Sequence, residues 1–144
     1  MKYHFSFQKV LDVKEKEKEI AEQEYGTSKV RQLELEEQMN HLDSTMEKTF
    51  NQYNDVSRKT VRDILELQDE IQSIHHKKQQ LENQFRSIHQ EVEERHHLLL
   101  EKTKEAKMWN QWKEKSKAVF QKQLNQKEQE MLDEMAVLRY TRKV

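Results

Sequence analysis

Apolar residues along this chain recur three and four positions apart, and they do so in two phases. From residue 7 to 60, one row reads Phe7, Lys14, Ala21, Ser28, Leu35, Leu42, Thr49 and Val56. Its companion reads Leu11, Lys18, Tyr25, Gln32, Met39, Met46, Tyr53 and Thr60, and ten of these sixteen positions are apolar. From 64 to 120 a second phase holds, with Ile64, Ile71, Lys78, Phe85, Val92, Leu99, Ala106, Lys113 and Phe120 in one row. Leu67, Ile74, Leu81, Ile88, Arg95, Lys102, Trp109 and Ser116 form the other, and twelve of these seventeen are apolar. A seven-residue repeat of this kind predicts helices that pack along a shared seam. A disordered chain has no reason to keep such a register.

The two phases meet through Tyr53, Val56, Thr60, Ile64 and Leu67, a 3-4-4-3 spacing. One reading is a stutter, in which a continuous helix locally unwinds its supercoil. The other is a reversal of the chain. Asn51, Asn54, Asp55, Ser57 and Thr60 cluster there, side chains that compete with the helical backbone or cap a new helix. A reversal lets one chain bury its own stripe, whereas a continuous helix of ~215 Å needs a partner along its whole length. The expected fold is therefore all-α, an antiparallel two-helix coiled-coil hairpin with a longer, overhanging second helix. It forms a single coiled-coil domain over 1–144, a monomer when free, with helix 1 at about 5–54, the turn at about 54–63 and helix 2 at about 62–142.

Unequal arms of ~75 and ~120 Å leave residues beyond about 112 projecting. That piece carries Leu124, Met131, Met135 and Leu138 in a rotated phase. It either docks a partner or frays. Charge is segregated as well. Residues 15–47 hold ten acids and four bases, and residues 102–127 hold eight lysines and two acids. A hairpin sets part of the basic segment beside the acidic arm, helping to select orientation. Alternatively the lysines form a solvated face or meet an acidic partner. Gly26 interrupts the first arm, either tolerated at a cost of about 1 kcal/mol or present to admit another chain.

Composition narrows the function classes. Charged residues make up 37% and hydrophobic ones 33%, with one glycine, no proline and no cysteine. Sheets need turn residues that this alphabet lacks, and disulfides, thiol nucleophiles and Cys-ligated zinc are excluded. The formal net charge of −1 gives no field that would draw nucleic acid. The longest apolar run, Met135-Ala136-Val137-Leu138, is far short of a membrane span, and the N-terminus lacks a secretory apolar stretch, so a cytoplasmic location is expected.

Catalytic chemistry finds no foothold. His75-His76 and His96-His97 lack the three- or four-residue spacing of helical metal ligands, and Glu93 with His97 does not close a site. One glycine cannot build a phosphate loop. The expectation is a protein that is not an enzyme and that uses no metal or cofactor. Trp109 lies on the seam, whereas Trp112, three residues on, faces outward as a contact candidate. Phe5 with Tyr3 and Phe7 makes an aromatic terminus, either a staple against the other arm or a docking element.

Three stretches resemble the flagellar export FliJ family of bacterial type III export. The opening Phe5-Ser-Phe-Gln8-Lys-Val-Leu11-Asp-Val-Lys14-Glu15 is similar to the family's F-x-F-Q-x-L-L-x-x-K-E start. Glu105-Ala-Lys-Met-Trp109-Asn-Gln-Trp112-Lys-Glu-Lys115 resembles its aromatic, lysine-rich segment, and Leu132-Asp-Glu-Met-Ala136-Val-Leu-Arg139 its D-E-x-A-x-x-R close. The resemblance implies a helical hairpin similar to the central stalk of rotary ATPases. Such a protein inserts into the hexameric flagellar export ATPase at the cytoplasmic face of the cell membrane, contacts the cytoplasmic domain of the export gate and escorts export chaperones. It serves flagellum biogenesis, motility and chemotaxis. For the ATPase ring the resemblance points to Phe5, Phe7, Leu11, Trp112, Met131, Met135, Leu138 and Arg139. For the gate it points to Gln38, Leu42, Thr45, Thr49, Ile71, Ile74, Lys78 and Leu81. Two other roles stand beside it, a coiled-coil escort for export substrates and a purely structural spacer.

Overall fold

Burial along two helices follows the rows written in the sequence. The computed structural model describes residues 2–55 and 60–142, and consists of α1 (Gln8–Asn54) and α2 (Val61–Arg142) packed against each other. Val56 and Ser57, and with them the path of the expected turn, lie outside the described residues. Of the described seam positions, only Phe7 and Thr60 are exposed; all others are buried or half-buried. α2 is the longer helix, 82 residues against 47. Thr60 caps it: the Asp63 amide donates to Thr60 Oγ1 at 3.3 Å, and the Thr60 amide donates to Asp63 Oδ2 at 3.2 Å. These reciprocal bonds satisfy donors that would otherwise be orphaned at the start of the helix.

The chain divides into two units, residues 20–100 and residues 1–19 with 101–144. In the unit of residues 20–100, Arg95 pairs with Glu24 at 2.7 Å, Gln32 with His89 at 3.0 Å and Lys78 with Asp43 at 2.9 Å. Partner numbers fall as those of α1 rise, so the helices run antiparallel. Its buried seam includes Ala21, Ile74, Ile88 and Val92 beside three polar residues, Ser28, Gln32 and Thr49. Each of those is satisfied. Ser28 Oγ donates to the Tyr25 carbonyl and Thr49 Oγ1 to the Thr45 carbonyl, both at 2.9 Å. Gln32 Nε2 can only donate, so His89 Nδ1 accepts, which leaves the imidazole Nε2–H facing Glu93 at 3.2 Å.

The unit of residues 1–19 and 101–144 is also antiparallel, with Lys14 against Glu105 and Glu17 against Lys102, both at 3.1 Å. Ahead of α1, residues 2–5 are not helical. Tyr3 lies against Phe120 and Phe7 against Trp109 and Trp112. An extended backbone advances ~3.3 Å per residue and a helix 1.5 Å, so a few strap residues cover twice as many positions of α2. The overhang therefore starts later than the sequence suggests. The strap reaches Phe120, which is half-buried like Leu124, while Trp112 touches Phe5 and Phe7 but stays exposed; from 125 to 142 every residue is exposed.

Gly26 sits on the exposed side of α1, and a Cβ placed there meets no atom within 4 Å. Nothing in the fold requires a glycine at this point. Gly26→Ala is expected to raise stability by about 0.5–1 kcal/mol, read as a higher thermal midpoint by circular dichroism.

Candidate partner-binding surfaces

Candidate residues near the chain ends fall into two groups within the unit of residues 1–19 and 101–144. Phe5 and Leu11 are only 5% and 3% exposed. The Phe5 ring meets Trp112 edge-on at 6.2 Å, and its carbonyl accepts the Gln8 amide at 3.1 Å, so it acts as a staple. Phe7 stacks on Trp112 at 5.0 Å, yet both remain more than two-fifths exposed. Met131, Met135, Leu138 and Arg139 lie on the overhang and are exposed. Trp109 and Phe120 complete the aromatic cluster from α2.

Tyr3 completes the cluster from the strap, and its hydroxyl is buried with no hydrogen-bond partner among the described residues. Below this cluster four charges interlock across the two helices. Lys14 reaches Glu105 and Glu17, and Lys102 reaches Glu17 and Glu105, at 3.1–3.7 Å. The hydrogen bond from Lys14 holds the Glu105 carboxyl below its ordinary 4.5. The same bond raises the Lys14 ammonium above its ordinary 10.5. Among the described residues, Lys102 is the one lysine of the basic segment that pairs with the acidic arm. Lys113, Lys115, Lys117, Lys122 and Lys127 make no ion pair among the described residues. Antiparallel register carries them past the first acids of α1.

The mid-chain candidates lie in the unit of residues 20–100. Gln38, Leu42 and Leu81 converge on one groove of about 540 Å³, together with Glu34, Glu37 and His41. Thr49 and Ile74 are buried, while Thr45, Ile71 and Lys78 are half-buried. Those five therefore serve first as packing and register residues. Glu34, Glu37 and His41 went unnoticed in the sequence, because exposed polar residues on a helix carry no periodic signal. Among the described residues no group of three His, Asp or Glu side chains is placed to hold a metal ion, and no helix is long and apolar enough to cross a membrane.

The family model described as flagellar FliJ protein matches residues 2–144. The chain belongs to the flagellar FliJ family. Membership makes it a component associated with flagellar protein export, in a family whose members are not catalysts. No curated protein and no solved structure matches the chain significantly. For this FliJ-family chain, function therefore has to be read from surfaces.

Two outcomes follow. Tyr3→Phe removes a buried hydroxyl that has no hydrogen-bond partner among the described residues, so stability is expected to be unchanged or higher by up to about 1 kcal/mol, read as an equal or higher thermal midpoint. For Glu105 the sign is that of a depressed carboxylate. Its contribution is present above pH 4.5 and is lost as pH falls through the lower folded value. The Lys14 contribution is present below pH 10.5 and is lost as pH rises through the higher folded value. Glu105→Gln should thus lower the thermal midpoint at neutral pH, with the gap from the parent closing below pH 4.5. A gap that is constant with pH would show that the charge is irrelevant.

Proposed function

We propose that this FliJ-family chain works as a stalk-like insert of the hexameric flagellar export ATPase, with the overhang of α2 as the inserted contact. The observation that carries this reading is the end of α2. Met131, Met135 and Leu138 are 56–64% exposed on a continuous helix and have no mate among the described residues. They repeat at four and three positions, so they form one apolar face. Arg139 and Arg142 in the last turn add positive charge there. Phe5, buried against Trp112, fastens the strap to α2 ahead of this end. A single asymmetric helix meets six similar subunits differently, and such differential contact is what biasing their conformational states requires.

The groove at Gln38, Leu42 and Leu81 is proposed as the seat for the cytoplasmic domain of the export gate. The protein would then bridge ATPase and gate at the cytoplasmic face of the membrane and pass chaperones between them.

ATP turnover of the purified hexamer tests the reading. Adding the full chain is expected to raise turnover and promote ring assembly. A variant with Met131, Met135 and Leu138 all changed to Glu should need roughly tenfold more protein for the same effect, with its helical signal intact. Unaltered turnover in the presence of the parent chain would overturn the assignment.

A further inference from the structure

The outward side of α1 in the unit of residues 20–100 carries a surface that the seam leaves bare. Ile20, Gln23, Gly26, Thr27, Val30 and Leu33 recur at three and four positions on the side turned away from α2, and all six are exposed. Ile20, Val30 and Leu33 are 47–54% exposed. None of these outward positions is charged, in a chain with 37% charged residues. Charge returns on that side with Glu19 before the window and with Glu34 and Glu37 after it. At its centre Gln23, Gly26, Thr27 and Val30, with Arg31 and Glu34, line a shallow hollow of about 700 Å³. A Cβ at Gly26 would meet nothing within 4 Å, so the fold itself does not call for the glycine.

Each edge of this window carries one acid and one base in a fixed order. Glu22 and Lys29 follow the seam residues Ala21 and Ser28 on one edge, and Glu24 and Arg31 precede the seam residues Tyr25 and Gln32 on the other. On both edges the acid stands seven residues before the base. Glu22, Lys29 and Arg31 make no ion pair among the described residues, whereas Glu24 holds Arg95 at 2.7 Å. An antiparallel copy of the same window supplies the opposite order. A two-fold axis at the level of Gly26 and Thr27 brings the second copy's Lys29 beside Glu22 on one edge and its Arg31 beside Glu24 on the other. A parallel copy in register would set Glu22 against Glu24 and Lys29 against Arg31, and like charges would repel it. In the antiparallel arrangement Gly26 faces its own image and Val30 lies over Gln23, while Ile20 and Leu33 of opposite copies close the two ends. With no Cβ at the crossing, the backbones can approach more closely than the usual separation of about 8–10 Å.

We propose that this face of α1 is the docking site for a second copy of the same chain, laid antiparallel and crossing at Gly26. The contact uses none of the residues proposed for the ATPase or the gate, and it stands independently of that reading. Its window is ~20 Å long, which places it among small, weak interfaces. The chain is therefore a monomer when dilute and pairs as its concentration rises. A helix-weakening glycine thereby acquires a role that the fold alone does not give it.

Sedimentation equilibrium of the full chain, from micromolar concentrations to about 1 mM, is the test. The parent is expected to follow a monomer–dimer equilibrium. Gly26→Gln fills the hollow with a side chain and should weaken the dimer by about tenfold or more. The same change should raise the thermal midpoint of the dilute chain, because glutamine is the better helix former. Glu22→Lys and Lys29→Glu, each made alone, put like charges together on the first edge and should weaken the dimer by about fivefold. An equimolar mixture of those two variants restores opposite charges at each of these contacts and should regain the parent's association as a heterodimer. A parent chain that stays monomeric up to about 1 mM overturns the proposal. So does a dimer that survives Gly26→Gln, which would be built on another face, and so does a mixture that associates no better than either variant by itself.

Discussion

Everything in this fold depends on one stripe of α1 finding one stripe of α2. Fully burying a leucine- or isoleucine-sized side chain contributes about 1.5–3 kcal/mol. A surface ion pair contributes at most about 1 kcal/mol. Leu11, Ile74, Ile88 and Val92, each under 8% exposed, therefore outweigh the charged pairs beside them. Neither helix has another element among the described residues against which to hide its apolar side. Without the pairing, two polar helices would have little reason to persist in water.

The weaker interactions set register rather than stability. An apolar stripe alone tolerates slippage by a heptad. Gln32 on His89, Glu24 on Arg95 and Asp43 on Lys78 penalise such a slip in residues 20–100, because each would lose a hydrogen-bonded partner. The interlocked Lys14, Glu17, Lys102 and Glu105 do the same near the chain ends. Polar residues on the seam are thus compatible with packing once each is satisfied, as Ser28 and Thr49 show through their own helix carbonyls.

What the seam leaves uncovered is the surface that a chain of this export family can offer to others. In the unit of the chain ends, buried aromatics fasten the strap, and the same cluster presents Phe7 and Trp112 to solvent. Farther along α2 the pairing ends, and methionines and leucines stand free on a helix that continues without a mate among the described residues. Met131 and Met135 suit such a surface, since an unbranched, polarisable side chain adapts to more than one partner shape. The export role that comes with membership of the FliJ family asks for surfaces of this kind rather than for an active site.

Much of the architecture was legible in the residues because a two-helix seam is a local, periodic code. Rows at three and four positions named most of the buried side chains, and the cap Thr60 was one of five residues that marked the junction. The family resemblance was also legible in three stretches, the start with Phe5 and Phe7, the middle of the second arm with Trp109 and the close with Arg139. Other features required the folded chain. Whether Phe5 staples or docks depends on how far an extended strap reaches along α2, which no periodicity encodes. That reach also moved the start of the overhang from about residue 112 to beyond Leu124. The side of α1 that faces Trp112 follows from the handed placement of Glu17 and Glu15 on opposite flanks. A linear pattern sets distance from the seam; only packing in three dimensions decides which flank meets which.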